Sequence, residues 1–318
     1  MTTTLGSYVN DLITYLVTHV PWLFDAISVA MATLVGWLTT ALAGPPAWLW
    51  IVLLASLGLV VRGWAFALYT VLALTLIHAT GMWSPTMQTL AVVLVATVLA
   101  TAVGVPVGIW AARSTAVSTV VRPVLDFMQT TPVFVYLIPA VFFFGVGVVP
   151  GVVATAIFAI PPGVRLTELG IRGVDPEVIE AAHAFGARPR QILRELQIPL
   201  ALPSIMAGVN QVIMLALSMV VVAGLAGAAG LGAVVVGAVT QLDVATGFDG
   251  GLAVVLLAIY LDRLTAALAH PAQRRPAWRA LRGLVAALPG RRPRTRPGLG
   301  VDGAAEAQAQ GRPLPLER

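Results

Sequence analysis

Residues 63–112 contain no Asp, Glu, Lys or Arg, and neither do residues 127–164. Uncharged, mostly apolar stretches of that length leave few folds open. A helix rises about 1.5 Å per residue and takes about 20 residues to cross a hydrocarbon core of roughly 30 Å. Each stretch therefore has room for two membrane spans, the first pair broken near Gly81–Pro85 and the second around Gly145–Gly151. The whole pattern predicts about seven spans, at 47–61, 64–81, 87–111, 130–146, 149–164, 200–223 and 247–267. Composition agrees. Only 10% of residues are charged and 58% are hydrophobic, whereas a soluble domain carries about 25% charged residues. Without cysteine, disulfides and thiolate metal sites are excluded. The expected fold class is an all-α polytopic membrane protein.

The first 46 residues read differently. Leu5, Val9, Leu12 and Leu16 form one stripe, and after Pro21 a second runs through Ile27, Met31, Leu34, Leu38 and Leu42, opposite Ser28, Thr33, Gly36 and Thr40. Such one-sided helices suit the membrane interface, although the uncharged 26–43 could instead span. No Arg precedes Arg62, so the basic start of a cleaved signal peptide is missing.

Every basic residue other than histidine is an arginine, 19 in all. With the N-terminus outside, all of them fall on the cytosolic side or its interface: Arg62, Arg113, Arg122, those from Arg165 to Arg194, Arg263 and the tail. This positive-inside bias explains the basicity without nucleic acid. It also places residues 165–199 in the cytosol as a loop. The tail, 270–318, is rich in Arg, Pro, Ala and Gly and is expected to be disordered. Its piece 276–288 could lie on anionic lipid as a short amphipathic helix.

No catalytic set is visible. His19, His78, His183 and His270 show no metal spacing. The absence of lysine rules out a Walker-type nucleotide loop, so any ATP hydrolysis belongs to another subunit.

The charged island Asp175–Pro199 is the strongest local signal. Asp175 suits an N-cap and Pro176 the first helical position. Val178, Ala181, Ala182 and Phe185 recur at helical spacing as an apolar face, with Glu177 and Glu180 off it. Gly186 is placed as the C′ residue, able to take positive φ. Pro189 can open a second short helix, and Pro199 is expected to close the unit. A knuckle this short needs a partner to pack against. The bland alternative is an amphipathic loop lying on the membrane.

This island resembles the loop shared by membrane subunits of ATP-binding-cassette (ABC) importers: Glu180-Ala181-Ala182, three residues, Gly186, nine residues, then Leu196-Gln197-Ile198-Pro199. Leu196 and Ile198 stand where the family has Ile and Leu. The resemblance implies a coupling helix seated in a groove of a cytosolic ATPase, with Glu180 at a polar contact and Gly186 at the turn. It implies the type I importer transmembrane fold for 47–269. Further runs resemble the permease subunits of glycine betaine/L-proline importers: VGVPVGIWAARS (103–114), Asp126-Phe127-Met128-Gln129-Thr130-Thr131-Pro132, PPGVRLTELGIRGV (161–174), PLALPSIMAGVNQV (199–212) and LAIYLDRLT (257–265). That likeness implies a homodimer of permeases, two ABC ATPase subunits that bind ATP and Mg, and a separate extracytoplasmic substrate-binding protein. The cargo it implies is a betaine, choline or similar osmoprotectant, with another small solute or an ion-gradient carrier as rivals.

Asn210, Met214 and Ser218 are four apart and share a face of the sixth span, the expected pore wall; interhelical hydrogen bonding is the competing reading. Gly104, Pro106 and Gly108 should kink a span and let a neighbouring helix approach closely, ordinary small-residue packing being the bland alternative. The glycines 224, 227, 230 and 232 suit a bent outer segment. Asp243 and Asp249 are the charges of the last outer loop, readable as contacts for a partner or as solvated groups.

Overall fold

The computed structural model describes residues 5–269, and the tail at 270–318, with its piece 276–288, lies outside the described residues. Among the described residues the regular structure is entirely helical, the arrangement in which every backbone donor finds a partner within its own segment in lipid.

Helices α1 (Leu5–His19) and α2 (Pro21–Ala43) come first. Ile27, Met31, Leu38 and Leu42 of the expected stripe turn toward the protein, but Leu34 is exposed and Val35 is buried in its place. Helix α2 is unbroken over 23 residues, long and apolar enough to cross a membrane. Helices α3 (Ala47–Arg62) and α4 (Trp64–Ala79) form a hairpin about Gly63, whose φ is 100°. Each has 16 residues, a length of about 24 Å, so these two expected spans are shorter than the hydrocarbon core.

Helix α5 (Trp83–Arg113) runs 31 residues straight through Pro106. Helices α6 (Thr115–Thr130) and α7 (Phe134–Phe144) follow, bent by 91° at Thr131-Pro132-Val133. This corrects the expected span at 130–146. Pro132 cannot continue the helix before it, and the polar face of α6, Ser118, Arg122 and Asp126, turns to α8 rather than into lipid. Helix α8 (Val148–Arg172) extends well past the expected end at 164, because Glu168 and the arginines of its last turns are ion-paired.

The short α9 (Pro176–Ala184) leads to α10 (Pro189–Gln191), a π-helical turn (Ile192–Gln197) and α11 (Ile198–Ser218). Pro189 does open a helix, but Pro199 does not close the unit: Pro189–Ser218 is one 30-residue helical run. The π turn is the reason. Ile198 donates to the carbonyl of Leu193, five residues back, so the register is shifted where the proline ring would meet the preceding turn. Helices α12 (Val220–Leu225) and α13 (Leu231–Gln241) pack on each other as a short pair, and α14 (Val244–Ala269) ends the described chain. Among the described residues, five helices are long and apolar enough to cross a membrane, or six if the bent α6–α7 pair is one span, against about seven expected from hydropathy alone.

Helix α8 lies between α5 and α11, with Ala100, Ala159 and Val212 buried where the three meet. Gly108 permits this. A Cβ there would sit 2.6 Å from the Thr167 Cβ and 2.7 Å from the Val164 carbonyl oxygen. Helix α14 is strapped to the α3–α4 hairpin: Tyr69 donates to the Leu256 carbonyl at 2.9 Å, Tyr260 to Leu54 at 3.3 Å, and Arg62 to Arg263 at 3.2 Å.

Candidate functional site

The knuckle after α8 is built by local chemistry. The Asp175 carboxylate accepts the Glu177 amide at 2.9 Å and caps α9, and Pro176 occupies the first turn. At the other end Gly186, at φ 79°, donates to His183 while Ala187 donates to Ala182. This is the paired bonding of a Schellman ending. Glu180, Ala181 and Phe185 are exposed, and Ala182 with Ile179 turns inward. Of the expected apolar face, then, Val178, Ala181 and Phe185 point away from the chain, Phe185 at 92% exposure. Leu193 is buried and holds the loop to the body beside Ile171, Ala201 and Ile205, and Ile192 next to it is buried too. Ile198 packs into that same cluster and Pro199 is exposed at the start of α11, so neither joins the knuckle's outer face.

Asn210, Met214 and Ser218 line one groove on α11, about 520 Å³, together with Ala207, Gln211, Leu215 and Leu166 of α8. The Asn210 amide is also fastened across the bundle, donating to Asp262 at 3.0 Å and accepting from Thr265. Asn210 thus makes interhelical hydrogen bonds and also borders the groove. Ser218 donates to the Met214 carbonyl within its own helix.

Sequence reasoning passed over Glu168. Its Oε1 accepts from Ser118 at 2.8 Å, Arg122 at 3.0 Å and Arg172 at 3.1 Å, with the side chain only 5% exposed. Arg165 and Asp126 form a second pair between the same helices. A signal was present: Ser118, Arg122 and Asp126 are four apart on α6, and Arg165, Glu168 and Arg172 share a face of α8.

At the other end of the bundle, the amide of Gly147, in the corner between α7 and α8, donates to the Ala226 carbonyl at 2.8 Å, and the Leu231 amide donates to Thr89 at 2.8 Å. These bonds tie the glycine-rich turn between α12 and α13 to α5 and to the α7–α8 corner. Asp243 caps α14 through the amide and hydroxyl of Thr246, and those bonds hold its carboxyl below the usual range. Among the described residues no group of His, Asp and Glu could hold a metal ion.

Residues 104–271 match the family model described as the binding-protein-dependent transport system inner membrane component. The chain belongs to this family. It is a transport permease subunit rather than an enzyme, a multi-pass inner-membrane protein that works with ATPase and substrate-binding partners. Among relatives of the family, it is 49% identical over 242 residues to the glycine betaine transport system permease protein OpuAB of Bacillus subtilis, covering 76% of this chain and 86% of that one. It is 46% identical over 271 residues to the glycine betaine/proline betaine permease ProW of Escherichia coli, covering 85% and 77%. It is 52% identical over 226 residues to the glycine betaine/carnitine permease GbuB of Listeria monocytogenes, covering 70% and 80%. The membrane fold is similar to that of the MetNI methionine ABC transporter in an inward-facing conformation, with a TM-score of 0.54 at 21% identity over 58% of this chain and 93% of that one. Membership of this ABC permease family sets aside the ion-gradient carrier.

Proposed function

We propose that two copies of this chain line the solute path of an importer for glycine betaine and related quaternary amines. ATP and Mg bound to two cytosolic ATPase subunits drive it, and a separate extracytoplasmic binding protein loads it. The observation that carries the coupling is the bare apolar face of α9: Val178, Ala181 and Phe185 are left uncovered on a knuckle that is rigidly capped at both ends. Such a face fits a groove on a partner. Glu180 stands beside it as a polar contact.

The groove on α11 supports the dimer. Gln211 and Ser218 are exposed there on a membrane helix, and polar side chains turned to lipid are costly, so a second copy and a water-lined path are the natural cover. The cargo rests on the names of the relatives. Glycine betaine, proline betaine and carnitine all join a quaternary ammonium to a carboxylate. None of the residues lining the groove is aromatic, whereas tight capture of a quaternary ammonium wants aromatic faces. Capture is the work of the binding protein, and the groove makes passing contact. The cycle is alternating access: ATP draws the two knuckles together, the spans rock open outward, and hydrolysis resets them. The arginine-bearing end, with Arg62 against Arg263 and α9 nearby in sequence to Arg172, faces the cytosol. A reporter fused to the N-terminus reads outside on this topology, and inside should α2 cross.

Vesicles holding the full complex should take up labelled glycine betaine with ATP, and none once the ATPase is left out. Gly186→Pro, which cannot adopt positive φ, and Glu180→Arg should each abolish uptake at unchanged abundance. Normal uptake by both variants removes the coupling role. Equal competition by an amino acid or a sulfonate reassigns the cargo.

A further inference from the structure

The side-chain bonds of helix α6 to α8 are polar or charged. The buried residues of α6 are Ser118 and Leu125. Its other ties to α8 are Arg122 to Glu168 and Asp126 to Arg165. Glu168 is the hub. It is an almost fully enclosed carboxylate whose one oxygen serves two donors on α6 and one on its own helix. A buried carboxylate is tolerated when such donors compensate its lost hydration. Arg172 carries the connection onward, because its Nη2 donates to the Ala111 carbonyl in the last turn of α5 at 2.8 Å.

The position of this hub matters as much as its bonding. Arg172 ends α8, and only Gly173, Val174 and Asp175 separate it from α9. Any displacement of the knuckle thus enters the bundle within two turns of Glu168. On the far side, α6 and α7 form a stiffened elbow: the Tyr136 hydroxyl donates across the 91° bend to the Met128 carbonyl at 2.9 Å. Helix α7 then reaches α2 by the stacked rings of Phe143 and Phe24, 4.6 Å apart.

We propose that Glu168 is a positioning residue of the transport cycle: by pinning α6 to the last turns of α8, it makes the α6–α7 elbow move with the α9 knuckle. The proposal rests on the reading of α9 as the ATPase-coupling helix. Glu168 touches neither solute nor nucleotide. Without its charge, Arg122 and Arg172 face a neutral group, α6 loosens from α8, and nucleotide-driven motion of the knuckle no longer reaches the elbow.

The test uses the complete complex in vesicles, with ATP hydrolysis and solute uptake measured on the same sample. Glu168→Gln should assemble and hydrolyse ATP while uptake per ATP falls by about fivefold or more, the scale of a typical coupling between two sites. Glu168→Asp, which keeps the charge, should restore part of the ratio. Should Glu168→Gln fail to assemble, Arg122→Gln carries the test: this side chain is 61% exposed, and Ser118 and Arg172 still donate to Glu168 in its absence. A wild-type uptake-to-hydrolysis ratio in the assembled variants overturns the proposal, as does an Arg122→Gln complex that couples normally. Failure of the underlying coupling reading looks different: Gly186→Pro and Glu180→Arg would then take up solute with a normal uptake-to-hydrolysis ratio, whatever Glu168→Gln does.

Discussion

At the scale of single residues, the knuckle shows how an exposed apolar side chain differs from a misplaced one. Phe185 is placed by the helix end itself, between the last turn of α9 and Gly186, and contributes little to the fold around it. Phe185→Asp should leave the melting temperature of the isolated permease nearly unchanged, within about 0.5 kcal/mol, while abolishing co-purification of the ATPase. An unaltered pull-down would assign the docking face elsewhere. Asp243 is the contrasting case, a loop charge with a structural task. Its bonds to Thr246 lower the folded pKa. The stabilisation is therefore complete above the ordinary carboxylate range and is lost as pH falls through the depressed folded value. Asp243→Ala should accelerate hydrogen exchange in the first turn of α14 at neutral pH, and the difference from the parent should vanish in strong acid.

At the scale of elements, hydropathy located the apolar stretches but not always their ends or their direction. The inner end of α5 follows from uncharged length, which stops at Arg113, whereas α14 carries Asp249, Asp262 and Arg263 along its 26 residues. The limits of α6 and α7 do not follow from it, because Pro132 turns the chain by 91° inside the uncharged stretch 127–164. Proline also misleads in the other sense at Pro199, where the π turn lets the helix pass. The close approach of α5 and α8 was legible in Gly104 and Gly108, although the identity of the neighbour was not. Gly108→Val places side-chain atoms inside the 2.6 Å gap to Thr167. Overpacking of this kind costs about 1–3 kcal/mol, so the variant should melt lower in detergent and accumulate less. Gly36→Val, with nothing within 4 Å of its Cβ position, is the matched control.

At the scale of the whole molecule, the groove along Asn210, Gln211, Met214 and Ser218 is an unfinished surface for a membrane protein. The chain has no cysteine, so a single introduced thiol reports on contact between copies without interference. Met214→Cys should form a crosslinked dimer with a short bifunctional maleimide in native membranes. Val60→Cys, on the α3–α4 hairpin and 77% exposed, should not. Absence of any Met214 crosslink, with full labelling by a monofunctional reagent, would argue against a path shared by two copies along this face.

The amino-acid order alone determined the features that arise within a few turns of chain: the helical class, the membrane environment, and the knuckle with Asp175 at one end and Gly186 at the other. Length without charge, capping chemistry and helical spacing are local properties, and they survive whatever else the chain does. The tertiary structure decided the outward aim of Phe185, the elbow after α6, the π turn beneath Pro199, the second set of bonds on Asn210 and the enclosure of Glu168. Each of these depends on what a distant segment brings. Arg122 meets Glu168 across 46 positions and Asn210 meets Asp262 across 52. A carboxylate in an apolar setting is stable only when such a partner arrives, and spacing along one helix does not say which helix will supply it.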